Sequence, residues 1–125
     1  MKTIKMPEQL AHDWLNALRS GEYEQGSGRL ECDGKYCCLG VLQMIADGEV
    51  ETHDDDLFSL AVPSDSWYEN HDIIFADSIR DESSLDRIPY AIYKMNDYYL
   101  TELNDQYKLS FKKIADILED SIETF

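Results

Sequence analysis

Residues 28–48 read GRLECDGKYCCLGVLQMIADG, and the parsing of this stretch decides the fold. Asp33-Gly34 is a dipeptide favoured by a two-residue type I′ turn, whose central residues both need positive φ. The spacing predicts a hairpin that pairs 29–32 with 35–38. The apolar period then changes from strand to helix: Leu39, Leu42, Ile45 and Ala46 share one face, and Val41 and Met44 widen it. A helix over 39–46 is expected, buried on most sides, with Gly48 as its C-cap. Gly40 inside it costs about 1 kcal/mol relative to alanine, which points to a neighbouring backbone too close for a side chain. All three cysteines, Cys32, Cys37 and Cys38, fall in this unit.

Upstream, Leu10, Ala11, Trp14, Leu15 and Leu18 define one face of a first helix, opened by Pro7 and Glu8 and stopped after Arg19 by Gly21. Trp14 is expected in the core, and His12 and Asp13 on the wet face. Residues 1–6 read as a tail or an edge strand, and 22–28 as a loop. Downstream, 57–62 is a short apolar segment before Pro63. Residues 64–70 read as a polar loop carrying Trp67 and Tyr68, and 73–75 as a candidate edge strand. Ser83 and Ser84 in the polar connector 81–86 are candidate caps. Ile88, Ile92, Met95, Tyr99 and Leu103 predict a helix that begins near Pro89. Asn104-Asp105 marks a turn, and Ser110 caps a last helix from Phe111 to about Ile122. The expected architecture over 1–125 is one α+β domain, about four helices around a small antiparallel sheet that contains the hairpin.

The 125 residues carry a formal net charge of −15, unevenly placed. Residues 47–86 hold thirteen acids against Arg80 alone, a local charge of −12, while the other 85 residues come to −3. Such a field repels nucleic acid and anionic lipid and attracts basic partners. The lysines at the N-terminus precede no apolar stretch of the signal-peptide kind, and no run approaches ~18 apolar residues. An odd cysteine count with two adjacent thiols does not make a disulfide framework, so a reducing cytoplasm is expected.

Several chemistries can be weighed. The carboxylates of 47–56 fail the calcium-loop test, because Gly48 stands second rather than sixth and Phe58 stands where the bidentate Glu belongs. The cysteines lack the second pair of ligands a zinc site needs. Gly26-Ser27-Gly28 lacks the Lys-Ser/Thr of a phosphate loop. No cofactor or metal is expected. A thiol at the start of the second helix invites a nucleophile reading, with Cys37 or Cys38 activated by His71 or His53 and oriented by Asp72, Asn96 or Asn104. Small buried core thiols are the competing reading.

Three segments resemble, together, a group of small proteins of bacteriophages and other mobile elements. They are Trp14-Leu-Asn-Ala-Leu-Arg-Ser-Gly-Glu-Tyr-Glu-Gln25 with Gly28, Lys35-Tyr-Cys-Cys-Leu-Gly-Val-Leu42, and Leu103-Asn-Asp with Ser110-Phe-Lys-Lys-Ile-Ala-Asp-Ile-Leu-Glu119. The resemblance implies expression in a bacterial host's cytoplasm, and it carries over no catalytic residue. By analogy with small acidic phage proteins, the expected function is binding and inhibition or modulation of a host protein with a basic surface, a defence or nucleic-acid-binding protein among the candidates. The contact residues expected for it are Glu49, Glu51, Asp54, Asp55, Asp56, Trp67 and Tyr68. The alternatives are the cysteine-dependent hydrolase or transferase of Cys37, Cys38 and His71, and a binder that sequesters a small nucleotide-like signal. The latter would hold its ligand between the 23–28 loop and the tyrosine-rich helix, near Arg29, Lys35 and Arg87.

Overall fold

The hairpin forms as its turn dipeptide dictates. In the computed structural model, which describes residues 3–53, 58–75 and 97–125, Asp33 and Gly34 have φ of 54° and 79°. They join strands β3 (Glu31–Cys32) and β4 (Lys35–Tyr36), with Glu31 opposite Tyr36 and Cys32 opposite Lys35. Strand β2 (Glu24–Gln25), inside the segment expected to be a loop, pairs parallel to β4 and completes a three-stranded sheet in the order β2-β4-β3.

From β4 the chain passes through Cys37, the N-cap, into helix α2 (Cys38–Asp47). Gly48, at φ 76°, closes the helix by donating its N–H to the Met44 carbonyl. Every residue from Cys38 to Gln43 is buried. A Cβ on Gly40 would collide with the Leu30 backbone carbonyl, so glycine is there because the hairpin crosses the helix at backbone contact.

Helix α1 (Glu8–Ser20) packs against α2 and against the last helix, α5 (Phe111–Ser121). Trp14 is 1% exposed, and its indole N–H donates to the Cys38 carbonyl at 2.9 Å. Burying such a side chain contributes about 2–3 kcal/mol, and the bond satisfies its one polar atom. Gly21 ends α1 in the left-handed conformation, and Ser110 caps α5 through the Lys113 N–H. Helix α3 (Asp65–Asn70) replaces the loop expected at 64–70, with Ser64 as its cap. Helix α4 (Asp97–Asp105) is the described part of the helix expected from Pro89. Its end corrects the turn expected at Asn104-Asp105: both residues are helical, the Gln106 and Tyr107 N–H groups donate to the Glu102 carbonyl, and the reversal comes at Lys108, φ 51°.

Residues 1–6 were the least legible part of the chain. Strand β1 (Ile4–Met6) lies at the centre of a second sheet, between β5 (Ile74–Phe75, antiparallel) and β6 (Ile122–Thr124, parallel). Ile4 and Met6 are fully buried while Lys5, exposed, pairs with Glu123 at 3.4 Å. A three-residue alternation is too short to identify a central strand, and both partners are distant in sequence. The α+β class and single domain hold. The single antiparallel sheet becomes two mixed three-stranded sheets with five helices among the described residues.

Candidate functional site

The thiols at the β4–α2 junction sit in the core. Cys37 Sγ accepts from the Gly40 N–H at 3.4 Å, and Cys38 Sγ lies 3.7 Å from the Leu100 carbonyl, which leaves it a donor, that is, a thiol. Burial pushes the Cys37 thiol up to about 11, outweighing the Gly40 and Leu39 N–H groups. Burial, followed by the neighbouring Cys37, pushes Cys38 well up too. Helix-terminal N–H groups stabilise thiolate, but here desolvation is the larger effect. At neutral pH the thiolate fraction at Cys37 is about one in ten thousand. His71 is engaged elsewhere. The constellation of Cys37, Cys38 and His71 is therefore not assembled as a nucleophile and its base.

His71 belongs instead to the unit that fastens α3 onto the end of α2. Its Nε2 lies 2.8 Å from Asp47 Oδ1 and its Nδ1 2.8 Å from the Trp67 carbonyl. Its ring stacks on Trp67 at 4.2 Å. Trp67 donates its indole N–H to Asp47 Oδ2 at 2.6 Å. Both partners of His71 are acceptors, so both ring nitrogens donate only in the imidazolium form. Burial lowers the His71 pKa, but the Trp67 carbonyl and the Asp47 carboxylate outweigh it and the net shift is upward. Asp47 is shifted down: burial alone would raise it, and the Trp67 and His71 donors prevail.

This geometry reassigns three of the expected contact residues. Trp67 and Tyr68 are each 6% exposed, so their rings anchor α3 rather than face a partner. Tyr68 packs edge-on against Phe75 and donates to Asp97 at 3.3 Å; burial first, then that carboxylate, drive its hydroxyl pKa upward. Glu51 is occupied inside the protein. Its carboxylate accepts from fully buried Gln43 at 2.8 Å and from the Ser64 N–H and hydroxyl at 2.8 and 2.7 Å, while Gln43 accepts the Glu51 N–H. Glu49 is exposed as expected. Asp54, Asp55 and Asp56 lie outside the described residues. Asp65 and Glu69, which sequence reasoning did not single out, and Asp72, expected there only as an orienter of a catalytic histidine, are exposed on and just after α3.

A second polar cluster joins the 24–28 segment to the end of α4. Gln25 Nε2 donates to Asn104 Oδ1 at 2.9 Å and to the Leu109 carbonyl at 2.8 Å. Asn104, 3% exposed, donates through Nδ2 to the Gly26 carbonyl and to Asp105 Oδ1, both at 2.7 Å. Asp105 Oδ2 accepts the Gly28 N–H at 3.0 Å. Of the three sequence segments quoted above, the first and third meet here through Gln25–Asn104 and Gly28–Asp105, and the first and second meet at the Trp14–Cys38 bond.

Residues 6–122 match the model of a family described as a domain of unknown function, DUF8296. The chain belongs to that family. No curated protein and no solved structure matches it. The DUF8296 match takes in the five described helices and the hairpin sheet, and reaches β1 and β6 only at Met6 and Ile122. Among the described residues no group of three His, Cys, Asp or Glu side chains is placed to hold a metal ion, and no helix is long and apolar enough to cross a membrane.

Proposed function

We propose that this DUF8296 protein is a non-catalytic binding protein of mobile-element origin. It docks onto a basic surface of a host protein through the carboxylates around the α2–α3 junction. The observation that carries this reading is the exposure of Glu49, Asp65, Glu69 and Asp72 around a helix that Trp67, Asp47 and His71 hold in place. A rigid mount matters because flexible acidic loops give up ordering entropy when they bind. Trp67, Tyr68 and Glu51 keep a functional role as the supports of that mount. Exposed charge pairs are screened over about 10 Å at 0.1 M salt, so binding is salt-sensitive. Affinity capture from a bacterial host lysate at low salt, with mass spectrometry, tests the reading. A basic partner that is retained at low salt and released at high salt supports it; no partner at low salt refutes it.

A further inference from the structure

A cleft lies away from the acidic surface, over the Gln25–Asn104 cluster, and two lysines line it. Its volume is about 460 Å³, within the ~300–1,000 Å³ range of small-molecule sites. Lys35 of β4 and Lys108 of the α4–α5 connection line it together with Ser27. Two ammonium groups at one cleft contrast with the protein's net charge of −15. Lys108 has no ion pair among the described residues, and Lys35 has only a 3.8 Å pairing with exposed Glu24.

The floor of the cleft is preorganised. Both N–H groups of the Gln25 amide face acceptors, which fixes its orientation and leaves Oε1 without a protein donor among the described residues. Asn104 and Asp105, locked to the Gly26 carbonyl and the Gly28 N–H, hold the two walls together. The cleft therefore offers one oriented acceptor, one hydroxyl and two ammonium groups, beside an Asp105 carboxylate whose oxygens already accept from Asn104 and the Gly28 N–H; this set complements a molecule with an N–H donor at one end and an anionic group at the other.

We propose that this cleft binds a nucleoside phosphate, the base donating to Gln25 Oε1 and the phosphate held by Lys35, Lys108 and Ser27. The site is independent of the acidic docking surface. The lysines act as point charges on phosphate, and the fixed amide discriminates among bases by the cost of an unmatched polar group.

Calorimetric titration of the full chain with the four ribonucleoside monophosphates, a cyclic dinucleotide, adenosine and inorganic phosphate tests the assignment. At least one nucleotide should bind saturably, with adenosine and inorganic phosphate each at least about tenfold weaker. Lys35→Gln and Lys108→Gln, both surface changes, should each weaken nucleotide binding about tenfold without altering the melting temperature of the free protein. The proposal is overturned if no nucleotide binds at millimolar concentration, if inorganic phosphate binds as tightly as the nucleotides, or if the lysine variants bind unchanged.

Discussion

Replacing His71 with alanine should destabilise the protein in a pH-dependent way, because the imidazole sits between two acceptors. Its Nε2 and Nδ1 are each 2.8 Å from an oxygen, and its ring lies 4.2 Å from Trp67. Hydrogen bonds to charged groups contribute about 1.5–3 kcal/mol when buried. The His71 and Asp47 side chains keep 23% and 34% exposure, so solvent screening reduces their pairing to about 1 kcal/mol. The ring stack contributes about 1 kcal/mol more. The total, about 2 kcal/mol, corresponds to a melting temperature lower by about 8 °C for a domain of this size. His71 has its folded pKa raised, so its electrostatic contribution is complete below the unfolded value of about 6.5 and is lost as pH rises through the folded value. Asp47 has its pKa lowered, so its contribution is present above about pH 4 and is lost as pH falls through the folded value. Thermal unfolding of wild type and His71→Ala across this range should show the largest gap near pH 5. Toward pH 9 the gap should narrow to roughly the stacking contribution. A gap that stays constant from acid to alkaline pH would refute the doubly donating imidazolium.

Gly40→Ala should cost at least about 3 kcal/mol in denaturant unfolding, at the upper end for overpacking, because the group in the way is the Leu30 backbone carbonyl; a loss below 1 kcal/mol would contradict the contact. In the folded protein a mild alkylating reagent should modify exposed Cys32 and leave buried Cys37 and Cys38 untouched, with all three reacting after denaturation; rapid labelling of three thiols would reopen the nucleophile reading. Glu51→Ala should cost about 2–3 kcal/mol by leaving fully buried Gln43 with an unmatched N–H; a neutral effect by chemical denaturation would return Glu51 to the surface.

Local signals were legible in the sequence, and distant pairings were not. Asp33-Gly34 encodes its own turn, Gly21 and Gly48 their left-handed caps, and Ser110 its helix start, because each depends on neighbours a few residues away. Gly40 announced a close backbone, though not that Leu30 supplies it. The central place of Ile4–Met6 depends on partners near residues 75 and 122, which no local pattern encodes. At the candidate site, the concentration of acid in 47–86 was visible, but the roles within it were not. Glu51 and Glu49 are the same residue type two positions apart, and only the placement of Gln43 and Ser64 turns one inward. Trp67 and Tyr68 stand among polar residues, which suggested a loop; the Ser64 cap was the overlooked sign of a short helix that buries both rings. Gln25 and Asn104, 79 residues apart, gave no hint of their bond.

The most direct test of the docking role compares host-lysate capture by the wild type with capture by a Glu49→Gln, Asp65→Asn, Glu69→Gln variant, with Lys35→Gln as a control outside the surface. The wild type and the lysine variant should retain the same basic protein at low salt, and the triple variant should lose it while melting at the same temperature. Equal capture by all three would contradict an acidic docking surface at the α2–α3 junction.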